Sequence, residues 1–323
     1  MFAAFVTSFD DADPLGGLTL GERPEPTPPD DSWTTVSVRA TALNHHDLWS
    51  LKGVGLKAEQ LPMILGTDAA GVDEDGNDVV VHAVIGDPAR GGGDETFDPR
   101  RSLLSEVHDG TLAERVCVPR RNLVRKPAGL SFEQASCLPT AWLTAYRMLT
   151  TRGQLQPGET VLVQGAGGGV STALVPLAKA MGLRVWVTGR DAGKREQALT
   201  LGADEVFEAG ARLPERVDAV MESVGAATWS HSLKSLRPGG RVVVCGATSG
   251  PNPPADLARV FFLQLSVIGS TMGTRDELEQ LLAFCSDHAL TPLVDHTYPL
   301  TQADAALARL ASGETFGKIV VTV

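Results

Sequence analysis

The segment VLVQGAGGGVSTALVPLAKAMG constrains this chain more than any other. A buried-type run, Thr160 to Gln164, passes through Gly165, Gly167, Gly168 and Gly169 into a helical pattern from Val170 to Met181. A second Val-rich run follows at Arg184 to Thr188. Strand, glycine turn, helix and strand in that order predict a βαβ unit. In such a unit the turn lets the backbone approach a pyrophosphate, while the helix N-terminus supplies free N–H groups and partial positive charge. The alternative is a tight turn that holds no ligand.

The end of the second strand carries the cofactor choice. An acidic side chain there accepts from the ribose hydroxyls of NAD, whereas a small residue followed by Arg leaves room and charge for a 2′-phosphate. The sequence has Gly189 and Arg190, with Lys194 one turn on. NADP(H) is therefore expected, with Gly165, Gly167, Gly168, Gly169 and Val170 on the pyrophosphate side and Gly189, Arg190 and Lys194 on the 2′-phosphate. Asp191 and a solvated helix start are the competing reading.

Length and charge narrow the partners. A chain of 323 residues suggests two domains, and 28 Lys and Arg against 39 Asp and Glu give a net charge of −11. That acidity disfavours nucleic acid and anionic membranes, whose phosphates call for clustered Lys and Arg. No apolar run is long enough for a membrane span, and the start MFAAFVTSFDDADP lacks a basic n-region, so a cytoplasmic protein is expected. Cys117, Cys137, Cys245 and Cys285 form no CxxC pair, which fits neither a disulfide framework nor a zinc ribbon.

Up to about Pro127 the chain is rich in Gly and Pro. Short β-like runs at Thr34 to Ala40, Asn77 to His82 and Arg115 to Val118 predict an irregular, mostly antiparallel domain. Gly86 to Arg101 is too polar for a core element and reads as a long surface loop or lobe. Beyond Pro127 strands alternate with helices. Runs at Val217 to Met221, Arg241 to Cys245 and Ser266 to Gly269, with helical stretches at Lys194 to Leu201 and Trp229 to Leu236, predict a parallel sheet covered on both faces.

Further motifs recur in order along nearly the whole chain: ALNHHDLW (42–49), LGTDAAG (65–71), GTLAERVCVP (110–119), LPTAWLTAYRML (138–149), LGAD (201–204), LRPGGRVVVCG (236–246) and FGKIVV (316–321). Together with the glycine turn they resemble the medium-chain dehydrogenase/reductase superfamily, most closely its zinc-independent quinone oxidoreductase-like branch. The resemblance implies an α/β architecture, with a GroES-like β domain at 1–130 completed by 271–323. A doubly wound Rossmann domain would occupy 131–270, and a homodimer would form through its sheet edge.

In the superfamily's zinc alcohol dehydrogenases the catalytic metal is held by Cys, His and Cys. By motif alignment those places hold Asn44, Thr67 and Thr140 here, and amide and hydroxyl oxygens are poor zinc ligands. The lobe that carries four structural-zinc cysteines in those relatives corresponds to Gly86 to Asp109, which has none. The expectation is no zinc of either kind, with an unorthodox site at His45, His46 and Asp68 as the alternative. Two departures from the pattern stand out: Ser171 where a third glycine is usual, and His45–His46 where quinone reductases have Pro-Val or Pro-Ser.

The resemblance then implies an oxidoreductase. Its leading form is an NADPH-dependent, zinc-independent reductase of a quinone or α,β-unsaturated carbonyl, working by hydride transfer in an interdomain cleft. An alcohol dehydrogenase or aldehyde reductase is the second form, and a non-catalytic NADPH-binding module the third. Without a metal, developing charge must be met by hydrogen-bond donors or a protonatable side chain. His46 aligns with the hydroxyl of the zinc enzymes' proton relay, so it is either the general acid or a hydrogen-bonded structural histidine. Asn44, Thr67 and Thr140 line the emptied metal position and bind substrate oxygen, while Asp47 and Asp68 order the site. Trp49 reads either as an apolar wall over the substrate or as core packing. On the cofactor side the resemblance adds His45, Thr144, Gly246, Ala247 and Lys318, the last with a solvated surface lysine as its alternative. Cys137 and Cys245 read as small core residues.

Overall fold

The computed structural model describes residues 1–323. The chain divides into two compact units, Met1–Ala141 with Gly273–Val323, and Trp142–Met272. No helix is long and apolar enough to cross a membrane.

The unit Trp142–Met272 is built on a six-stranded parallel sheet in the order Glu205–Glu208, Arg184–Gly189, Thr160–Gln164, Val217–Glu222, Leu236–Val244 and Ser266–Gly269. Strand order reverses at Thr160–Gln164, the first strand, and so gives the doubly wound topology in which ligands sit at the carboxyl ends of the strands. Thr160–Gln164 is buried along its whole length, as a strand covered on both faces must be. Leu162, Trp186, Val217, Val220, Leu233, Leu236 and Val242 form the core between sheet and helices. The strand expected at Arg241 begins earlier, at Leu236, because Leu236 already pairs with Val217 and the register then slips before Arg241 meets Ala219.

The other unit holds a seven-stranded sheet running Leu123–Arg125, Asp78–Val81, Ala69–Asp73, Trp33–Ala42, Lys318–Thr322 and Val294–Pro299, with Arg115–Pro119 also paired to Trp33–Ala42. A smaller three-stranded sheet, Leu18–Glu22, Phe2–Val6 and Met63–Ile64, adjoins a core of Leu43, Leu51, Leu65, Leu112, Leu307 and Ile319. The C-terminal segment thus supplies strands inside the first sheet. The boundary falls after Ala141 rather than near 130 because Phe132 and Cys137 pack with Ala40, Ala42 and Val320. The polar stretch 86–101 is organised about an ion pair between exposed Arg90 and buried Asp98, Nη2 to Oδ2 at 2.7 Å, and its ends are joined by Val84–Ile85 pairing with Ser102–Leu103.

Candidate functional site

In the parallel-sheet unit the glycine turn forms as its sequence requires. Gly165 sits at φ +89°, a conformation that favours glycine, and Gly168 caps the twelve-residue helix Gly169–Ala180. Val170 lies in the first turn of that helix, and its neighbour Ser171, where the superfamily has glycine, is buried. Gly189 ends its strand against Ala166: a Cβ there would come within 2.9 Å of the Ala166 Cβ. Arg190 is exposed beyond it. Asp191 is engaged as an N-cap, its Oδ1 accepting from the Lys194 N–H at 2.8 Å, and Arg195 Nη1 donates to the Gly189 carbonyl at 2.8 Å. The strand end therefore presents a glycine and an arginine, with one oxygen of the adjacent carboxylate engaged as a helix cap. Gly246 and Ala247 follow the strand Leu236–Val244, and the Ser249 N–H donates to the Val224 carbonyl at 2.7 Å.

Beneath this rim lies a polar group that the sequence did not flag. Glu222 is fully buried, and its carboxylate accepts from the N–H groups of Val224 at 2.8 Å and Gly225 at 3.0 Å, from Thr228 Oγ1 at 2.9 Å and from Ser232 Oγ at 2.5 Å. Gln164 Nε2 donates to the same Ser232 hydroxyl at 3.0 Å, and Thr188 Oγ1 donates to Gln164 Oε1 at 2.5 Å. Adjacent strand ends are thus tied by one satisfied network, which holds the loops above them in place.

The chemistry-bearing residues of the other unit converge on the start of the helix His45–Leu51 and on the turn before the strand Ala69–Asp73. Asp47 is buried, and its carboxylate joins the two segments: Oδ2 accepts the Asn44 N–H at 2.8 Å and Oδ1 the Gly66 N–H at 3.1 Å. Gly66 stands at φ +99°, where a Cβ would fall 2.5 Å from Thr111 Oγ1, so no other residue fits. The turn then delivers Thr67 and Asp68. Asn44 Nδ2 donates to Thr67 Oγ1 at 3.2 Å and to Asp68 Oδ2 at 2.9 Å, and Thr67 Oγ1 lies 3.1 Å from Thr140 Oγ1. Thr140 sits in a π-helical turn, Leu138–Trp142, a backbone irregularity common at functional sites.

Lys318 completes this cluster. At 2% exposed it is not a solvated surface lysine, and its ammonium is engaged inside this unit. Its ammonium donates to Leu43 O at 2.7 Å, Asn44 Oδ1 at 2.6 Å and Asp68 Oδ2 at 3.2 Å. Three N–H groups meet three acceptors, and none is left for a phosphate.

His46 lies beside the cluster but faces elsewhere, Nε2 against Glu106 Oε1 at 2.9 Å and Nδ1 3.4 Å from Ser105 Oγ. Burial disfavours its charged form, yet the Glu106 hydrogen bond and the charges of Asp47, Glu106 and Asp68 prevail and raise its pKa above the ordinary histidine value. Burial pushes the Asp47 carboxyl up, against the opposing pull of His46, the Asn44 N–H and Lys318. His45 is open to solvent, and partial burial followed by the Lys318 charge lowers its pKa. Trp49 is 36% exposed, so it is not core packing. Thr144 belongs to the other unit, buried in the helix Leu143–Arg147. Burial lifts the thiols of Cys137, Cys245 and Cys285 to about 12, which removes them as nucleophiles near neutral pH.

Comparison with known proteins follows this division. Residues 30–128 match the alcohol dehydrogenase GroES-like domain and residues 169–287 the zinc-binding dehydrogenase domain. The acryloyl-coenzyme A reductase of Sulfurisphaera tokodaii is 28% identical over 95% of this chain and 97% of its own. Among solved structures, an NAD-dependent alcohol dehydrogenase superposes with a TM-score of 0.92 at 33% identity, covering 100% of both chains. The 2-octenoyl-CoA carboxylase reductase CinF, in complex with NADP and 2-octenoyl-CoA, superposes with a TM-score of 0.90 at 25% identity, covering 99% of this chain and 87% of its own.

Proposed function

Because the chain belongs to the medium-chain dehydrogenase/reductase superfamily and is an oxidoreductase with a GroES-like and a Rossmann-type domain, we propose that it uses NADPH, without zinc, to reduce an α,β-unsaturated carbonyl or quinone. The observation that carries this reading is the donor set at Asn44, Thr67 and Thr140. One amide and two hydroxyls occupy the metal-ligand places, and the Lys318 ammonium lies 2.6 Å from Asn44 Oδ1. These residues do not fit a catalytic zinc, which needs Cys, His or carboxylate donors and would be repelled by an ammonium on one ligating atom. Two relatives named as reductases of CoA thioesters, one of them holding NADP and an enoyl-CoA, support the choice of an activated C=C.

When bound, the nicotinamide supplies hydride to the β-carbon of the substrate. The electron pair of the C=C then moves toward the carbonyl oxygen, and the protein's task is to meet charge there and return a proton to the α-carbon. Thr140, half-buried at the end of the hydroxyl chain, donates to that oxygen. His46, whose raised pKa keeps more of it protonated near neutral pH, is the proton source, and Glu106 orients its ring. Gly189 and Arg190 leave space and charge for the 2′-phosphate, which supports NADPH over NADH. The reading includes a homodimer and a cytoplasmic location, which light scattering and cell fractionation check.

A second reading, reduction of C=O in the manner of an alcohol dehydrogenase, is favoured by the likeness to the NAD-dependent alcohol dehydrogenase. One assay separates the two: NADPH and NADH oxidation against a quinone, an alkenal, a cyclic enone and a saturated aldehyde, with products identified. Loss of the C=C or a hydroquinone product supports the proposal. Selective conversion of the saturated aldehyde overturns it.

A further inference from the structure

We propose that Lys318 is a positioning residue that fixes the direction of a hydrogen-bond chain, Lys318 to Asn44 to Thr67 to Thr140, so that Thr140 ends it as a donor aimed at substrate oxygen. This inference rests on the reading above and names what the Asn44, Thr67 and Thr140 position presents to substrate: a donor for an acceptor oxygen, carbonyl or enolate.

An ammonium can only donate, so Asn44 must turn its Oδ1 toward Lys318 Nζ, 2.6 Å away. The Asn44 N–H groups then face Asp68 Oδ2 at 2.9 Å and, sharing the second hydrogen, Thr67 Oγ1 at 3.2 Å and Ala42 O at 3.3 Å, so that Thr67 is an acceptor in its pair with Asn44. Thr67 is 1% exposed, and the acceptor left for its own O–H is Thr140 Oγ1 at 3.1 Å. Its proton therefore points to Thr140, because a buried hydroxyl with an unused proton is costly. Accepting from Thr67, Thr140 keeps its own O–H for an acceptor other than Thr67. Were Asn44 to present oxygen to Thr67 instead, every hydroxyl in the chain would reverse and Thr140 would become an acceptor. Asp68, fully buried and 3.2 Å from Lys318 Nζ, balances the ammonium so that the cation is tolerated in the interior. The role of Lys318 is thus directional, transmitted through an amide that cannot be rotated while the ammonium is present.

The test compares Lys318→Met, Lys318→Arg and Thr140→Val with the wild type. Lys318→Met and Thr140→Val should each lower kcat for an enone on the order of 100-fold, the scale of losing one oxyanion donor. KM and NADPH affinity should hardly change. Lys318→Arg, which also only donates, should restore most of kcat, and the double variant Lys318→Met with Thr140→Val should be no slower than either single one. A readout without turnover uses 3-phenylpropanamide, a carbonyl ligand that cannot be reduced at C=C, bound to the NADPH-loaded protein. Its amide C=O infrared band should shift to lower wavenumber in wild type and Lys318→Arg, and return toward the solution value in Lys318→Met and Thr140→Val. Thr140→Val alters one half-buried hydroxyl and keeps the question open to measurement if Lys318→Met fails to fold. Wild-type turnover with Lys318→Met and Thr140→Val unchanged in kcat and band overturns the inference and leaves the proposed function standing. A band shift that follows the variants in a protein that reduces nothing on the panel does the reverse. A Lys318→Met variant impaired only in NADPH binding returns the lysine to the cofactor and also overturns it.

Discussion

His46 and Glu106 are 60 residues apart in sequence, and in the structure Nε2 of one meets Oε1 of the other at 2.9 Å. Because a carboxylate only accepts, the Nε2 of His46 carries hydrogen, and Nδ1 is the nitrogen that gains or loses the titrating proton. The pair holds the histidine pKa above its unfolded value. Its contribution to stability is therefore full below a pH of about 6.5 and is lost as pH rises through the folded-state value.

The same relationship predicts the pH–rate profile. If protonated His46 supplies the proton, kcat/KM for an enone falls on the alkaline side, with an apparent pKa above that of free histidine. Glu106→Gln keeps a hydrogen-bond acceptor but removes the charge, so the alkaline limb moves to lower pH. A profile unmoved by Glu106→Gln removes His46 as the acid.

Cofactor choice is tested at Arg190. Replacing it with Ala should weaken NADPH binding about 10- to 100-fold, the range for a lost hydrogen bond to a charged group, while NADH affinity stays within about twofold. Fluorescence titration of both cofactors measures this. Equal losses for NADPH and NADH would show that Arg190 does not read the 2′-phosphate.

The proposed reading of the ligand positions predicts metal independence. Dialysis against a strong chelator should leave turnover unchanged, and elemental analysis should find well under one zinc per chain. Stoichiometric zinc lost together with activity overturns the reading of Asn44, Thr67 and Thr140 as an organic donor set.

Asp47 and Glu222 are expected to matter for stability. Asp47→Ala strands the N–H groups of Asn44 and Gly66, and Glu222→Ala strands the N–H groups of Val224 and Gly225 and two hydroxyls. Each substitution should cost about 2–4 kcal/mol, the scale of a few buried polar groups left unpaired. Denaturant titration of each variant gives the cost, and a change below about 0.5 kcal/mol would show the network to be incidental.

The parts of the molecule legible in the sequence are those whose cause is local. The glycine turn, the Val-rich strands on either side of it and the Gly189–Arg190 end are each specified within a few residues, and the fold places them as their pattern requires. Asn44, Thr67 and Thr140 were legible as aligned motif positions. Their mutual contact through one amide and two hydroxyls was not, because it depends on side-chain orientation across separate elements. The contacts of Lys318 were hidden for a related reason: FGKIVV marks a strand start, but Asn44, which meets its ammonium, lies 274 residues away. Glu106 gave no signal at all, being one acid in a polar loop, and Glu222 looked like the ordinary end of a strand. Acids that serve by accepting backbone N–H groups leave no spacing rule to find.

The strand Lys318–Thr322 lies between Trp33–Ala42 and Val294–Pro299, inside the sheet rather than at its margin. On a ribosome, the parallel-sheet unit has all of its residues available well before synthesis ends. The first unit must wait with the end of its long strand, Ala40–Ala42, unpaired on one side until the closing strand emerges, because Arg115–Pro119 covers only Trp33–Ser37. The ammonium that contacts Asn44 therefore arrives after the other members of the cluster, and a nascent chain has no assembled polar site until Lys318 has been made. Assembly of the site therefore waits on Lys318, and a premature stop upstream of it leaves a complete parallel-sheet unit joined to a sheet in which Ala40–Ala42 lacks its closing strand.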